Sequence, residues 1–145
     1  MKLTDHFTLK ELTYSQYAVD NKIDNKFDSD VVDNLLDLCI GFLEPFRLFY
    51  GKGIRVSSGF RSEALNKALG GVSTSAHKCG LAADLQPVND TMENFLQIME
   101  DFLKSNPKVA YDEVIIEKSK TSTWIHVAIR SISGKQRKKH FELKV

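Results

Sequence analysis

Cysteine is scarce. The chain holds only Cys39 and Cys79, and no CxxC pair occurs, so no disulfide framework is expected. Charge of one sign is not in excess either. The formal net charge is +1, which gives no overall field towards nucleic acid or acidic substrates. No apolar run approaches the about 20 residues that cross a bilayer. Residues 1–12 lack the apolar stretch and small-residue cleavage site of a secretory signal, so synthesis in the cytoplasm is expected. Internal repeats and low-complexity linkers are absent too. What remains is one domain over 1–145, 42% apolar and 27% charged, long enough for a single core.

Thr8 and Glu11 form a capping-box pattern that opens a short helix. A polar loop, 20–30, follows, and 1–30 reads as a segment packed on the domain. Val31, Leu35, Leu38, Phe42 and Phe46 recur at helical steps from Asp30. Pro45 within that run predicts a kink or a last turn, and Gly51 closes it. Cys39 falls in this stretch and reads as core. Ile54 to Ser58 alternates as a strand, Ser62 to Leu69 is helical up to Gly70-Gly71, and Ala82 to Leu85 is a short strand. Thr91 to Ser105 is the clearest amphipathic helix. Residues 111–117 and 123–129 pair as a hairpin across a polar turn. Residues 134–145 form a basic tail in which Phe141 and Leu143 alternate. The fold class is α+β, with a small, mostly antiparallel sheet packed with helices.

His77 and Asp84 stand seven residues apart around Gly80, Ala82 and Ala83. A hydrolytic zinc site needs three protein ligands and one open position. These two can supply a pair, and His126, inside the apolar run WIHVAI, the third. Neighbouring strands would turn all three to one face. Taken alone, His126 is more often an ordinary strand histidine, and a buried aspartate needs a partner of which metal is only one kind. The joint pattern favours the site. Cys79 as a fourth ligand would close the position that catalysis keeps open.

The segments SSGFRS (57–62), LNKALGG (65–71), SAHKCGLAADL (75–85), YDEVIIE (111–117) and WIHVAIR (124–130) resemble the zinc D-alanyl-D-alanine carboxypeptidase family of metallopeptidases. The likeness covers about Leu3 to Arg130 and is strongest for the compact phage and prophage branch. It implies a Hedgehog/DD-peptidase-like fold, a Zn2+ cofactor held by His77, Asp84 and His126, and hydrolysis of peptidoglycan stem peptides next to D-amino acids. Both D,D-carboxypeptidases and endolysins belong to it. Some members carry an acid two or three positions before the last histidine, where this chain has Trp124 and Thr123. The single-domain branch implies Glu117 instead as general base, and hairpin pairing would bring Glu117 across from the His126 strand. Glu113 shares its face and is the runner-up; a solvated strand-end glutamate is the plainer alternative. The resemblance gives Arg61 the role of polarising the scissile carbonyl, against a simple ion pair with Glu63. Ser75 is a candidate to hold substrate. Trp124 walls the pocket or, more simply, fills the core.

A zinc-stabilised wall-binding module without turnover is the rival reading. The run 135–139 is a weak sign of nucleic-acid binding, since such runs are usually solvated; attraction to anionic wall polymers suits it better. The expected partner is the stem peptide, with no nucleic acid and no membrane span. The chain is expected to be a monomer, acting on the wall after release from the cell.

Overall fold

A computed structural model describes residues 1–145. Two short strands, β1 (Lys2–Thr4) and β2 (Phe7–Thr8), lead into helix α1 (Leu9–Thr13), whose Thr8–Glu11 capping box is formed in both directions. Helix α2 (Gln16–Asp20) follows, capped by Ser15. Asp28 caps the next helix, two residues earlier than the apolar spacing suggests, so α3 spans Ser29–Leu38. Pro45 does not end this helix. A π-turn over Cys39–Leu43, with the Glu44 N–H bonded to the Cys39 carbonyl, precedes α4 (Glu44–Tyr50). The wider turn relieves the clash of the proline ring with the preceding turn.

Strand β3 (Ile54–Ser58), helix α5 (Glu63–Ala68), a 3₁₀ turn (Ala76–Cys79) and strand β4 (Ala82–Pro87) come next. Helix α6 (Met92–Ser105), capped by Thr91, precedes strands β5 (Glu113–Lys118), β6 (Thr123–Ala128) and β7 (Lys139–Lys144). The five-stranded sheet runs β3-β4-β6-β5-β7, antiparallel except for the parallel pair β5–β7. The basic segment is therefore not a free tail at its end: Lys139–Lys144 forms the edge strand.

Alternation divides the sheet into two faces. Ala83, Leu85, Val114, Ile125 and Val127 are buried on the helix side. There Phe42, Phe46, Phe95 and Phe102 are fully buried and meet ring to ring, with Phe42–Phe102 centroids 5.5 Å apart and Phe46–Phe102 5.4 Å. Each such ring contributes about 1.5–3 kcal/mol by leaving water. Cys39 lies fully buried in this core, and burial, with the nearby charges of Glu11 and Glu44, pushes its thiol up to about 12. With helices covering one face, polar side chains collect on the other.

Candidate metal centre

Asp84 and His126 are direct cross-strand partners on β4 and β6, so both side chains leave the sheet on the same face. His77 reaches them from the 3₁₀ turn that Ser75 caps by accepting the His77 N–H. That turn ends at Gly80, whose φ of +73° suits glycine. A Cβ at Gly80 would also come within 2.9 Å of the Val31 carbonyl oxygen. The three side chains meet. His77 Nε2 is 3.2 Å and His126 Nδ1 3.1 Å from Asp84 Oδ1, and one donor atom from each lies within 4.8 Å of the others.

The far side of each ring is held. His77 Nδ1 donates to the Gly59 carbonyl at 2.7 Å, which leaves Nε2 facing the cluster. Gly59 packs against the end of α1 because it has no side chain: a Cβ there would stand 2.1 Å from the Leu12 carbonyl oxygen. That carbonyl accepts the Phe60 N–H at 2.7 Å, tying α1 to the turn under the site. His126 Nε2 lies 3.4 Å from Glu113 Oε1. The two glutamates thus sit on opposite sides of the His126 ring, because Glu117 Oε1 is 3.8 Å from Nδ1 and accepts from Trp124 Nε1 at 3.1 Å.

Burial works to raise the Asp84 carboxyl. The charge of His77 and hydrogen bonds from His126 and His77 outweigh it and hold the group well below the usual carboxylate range. Burial also opposes charge on His126, yet hydrogen bonds to Asp84 and Glu113, with the charges of Asp84 and Glu117, raise it to about 10. The hydrogen bond from His126 lowers Glu113 in turn. Two imidazoles and a carboxylate, with tautomers fixed from outside, form a donor set suited to zinc.

Arg61 does not pair with Glu63, which lies by Lys78 at 3.5 Å. Its Nη2 stands 3.5 Å from Asp84 Oδ2, and its Nε donates to Ser58 Oγ at 3.0 Å. Ser75 and Trp124 line the same cleft, of ≈ 530 Å³, as the three donors. Trp124 is half-buried and outside the main core, so the simpler core reading of this residue does not hold. Cys79 packs against the core and is not in the donor group. A smaller cavity, of ≈ 230 Å³, meets the cleft at Arg61 and Leu69.

Two features escape sequence reasoning. The Gly59 carbonyl is backbone and leaves no residue-type signal beyond the glycine itself. Asp112 is 1% exposed and accepts from Arg137 through N (3.0 Å), Nε (2.8 Å) and Nη2 (2.8 Å). A buried acid demands such a partner, but the basic run offers several.

No helix is long and apolar enough to cross a membrane. No curated protein gives a significant match to the chain. Residues 5–128 match the family described as peptidase M15.

Proposed function

The chain belongs to the peptidase M15 family, and on that premise we propose that it is a zinc-dependent hydrolase of peptide bonds next to D-amino acids in peptidoglycan stem peptides. The observation that carries this reading is the convergence of His77 Nε2, Asp84 Oδ1 and His126 Nδ1 beside a glutamate in a cleft of ≈ 530 Å³. Those three atoms would hold the ion. When bound, zinc supplies Lewis acidity towards water and an amide carbonyl.

Glu117 is the general base. It lies on the Nδ1 side of His126, where it takes a proton from the attacking water and passes it to the leaving nitrogen. Its hydrogen bond from Trp124 keeps the carboxylate aimed into the cleft. Glu113, on the Nε2 side, orients His126. Arg61 donates to the oxygen on which negative charge develops, with Ser58 steadying its guanidinium. Ser75 holds the turn that carries His77 and borders the substrate. Action on the cell wall, after release from the cell as in an endolysin, is part of the same proposal, and the family match supports its cell-wall part alone.

The test joins metal content with release of amino groups from purified peptidoglycan, with and without chelator. About one zinc per chain and chelator-sensitive release are expected. Zinc without release would move the reading to a non-catalytic wall-binding module. Failure to take up zinc would overturn the site.

A further inference from the structure

The family match ends at residue 128, yet the cleft does not. Strand β7 pairs with β5 in parallel, and its register sets Leu143 directly beside Glu117. Directly paired residues share a face, so Leu143 projects on the side that carries the metal donors. Leu143 and Val145 line the cleft together with Glu117, Trp124 and His126. They are 44% and 58% exposed, apolar surface held at the mouth of a polar site. The strand is held at its start by the Asp112–Arg137 bonds and by the Lys139 N–H on the Asp112 carbonyl at 2.9 Å.

We propose that β7 is a specificity wall: Leu143, with Val145, receives an uncharged aliphatic group of the substrate next to the scissile amide. The charged side chains around the cleft are matched among themselves, Arg61 with Asp84, Arg137 with Asp112 and His126 with Glu113. An acidic substrate group at Leu143 would therefore lose water without gaining a partner and would meet the repulsion of Glu117 alongside. An aliphatic group covers Leu143 and gains from leaving water. This rests on the reading of the cleft as the substrate site.

Trp124 is the only tryptophan and lines the cleft, so its fluorescence reports binding whether or not hydrolysis follows. The probes are N-acetylated D-tetrapeptides with D-leucine or the similarly shaped D-asparagine on each side of the central amide in turn. They are titrated into the zinc-loaded parent, Leu143→Asn and Leu143→Met, with hydrolysis followed in parallel. On one side of the amide the parent is expected to bind the leucine peptide about tenfold more tightly, as one covered aliphatic side chain allows. Leu143→Asn brings that ratio near one, Leu143→Met restores it, and zinc content stays unchanged in both. A ratio in Leu143→Asn equal to the parent's overturns the wall. Binding that follows Leu143 without hydrolysis keeps the wall and overturns the hydrolase reading. Hydrolysis with a ratio indifferent to Leu143 does the reverse. Absence of both fluorescence change and hydrolysis with every peptide overturns both.

Discussion

Two glutamates four residues apart on one strand face, Glu113 and Glu117, lie on opposite sides of His126, and that difference separates their roles. Glu117→Gln removes the proposed base but none of the proposed metal donors. It is expected to keep zinc and lower kcat by about 10²–10⁴-fold; parent-like turnover would return the role to Glu113. Glu113→Gln weakens the hold on the His126 ring. Zinc affinity should fall by about 10–100-fold, with turnover largely recovered at saturating zinc, which equilibrium titration against a chelator tests. The same ring carries a pH signature. Its value in the folded, metal-stripped protein is raised from 6.5 to about 10, so its stabilising contribution is full below 6.5 and lost as pH climbs through about 10. Asp84 is lowered from 3.8, so its contribution is present above 3.8 and lost as pH falls through its depressed value. A cation that takes His126 Nδ1 displaces that proton. Zinc uptake at pH 7 should therefore release about one proton, read from the dependence of binding heat on buffer. No release would mean that His126 is neutral before zinc arrives.

Among the elements, the N-terminal segment and the turn after β3 are joined by several hydrogen bonds and pack most tightly at Gly59. Gly59→Ala drives a Cβ onto the Leu12 carbonyl oxygen and shifts the carbonyl that orients His77. An overpacked site costs about 1–3 kcal/mol, and here loss of zinc affinity should accompany it. Phe102→Ala is the contrast. On the helix face it costs about 3–5 kcal/mol but leaves zinc binding intact wherever the protein remains folded. Denaturation and zinc titration of both variants separate the two faces; equal metal loss would undo the distinction. The elements around the donors were legible because their signals are local: a capping box at Thr8, helical steps through α3 and α6, alternation in β3, and short apolar or β-rich runs in β4 to β6. The meeting of Asp84 with His126 needed only that β4 and β6 be neighbours, and they are. The π-turn was less legible, since Pro45 states that something must give but not that the helix resumes. Strand β7 was least legible. Its alternation is weak, its residues stay largely exposed, and a parallel partner some 26 positions earlier leaves no mark nearby.

At the scale of the whole molecule, residues beyond the family match close the cleft, and one buried carboxylate keeps them there. The basic run is partly engaged in this work: Arg137 is bound to Asp112 and Lys138 Nζ donates to the Pro107 carbonyl at 2.9 Å. Less of it is free for polymers than its composition suggests, and at a net charge of +1 long-range attraction adds little. Hydrogen bonds from Arg137 outweigh burial and hold the Asp112 carboxyl below its ordinary value. Its contribution to stability is thus present above the usual carboxylate range and lost as pH falls through that lowered value. Asp112→Asn keeps the shape but removes the charge that the guanidinium binds. It is expected to lower stability by about 1–3 kcal/mol at neutral pH and to flatten the acid side of the stability profile. Hydrogen exchange locates the effect. Amides of Lys139–Lys144 should exchange faster, while those of β4 and β6, paired through Asp84 and His126, keep the protection that the remaining global stability allows. Unchanged exchange in β7 would mean that its ladder with β5 suffices alone, and that the clamp serves only the loop before it.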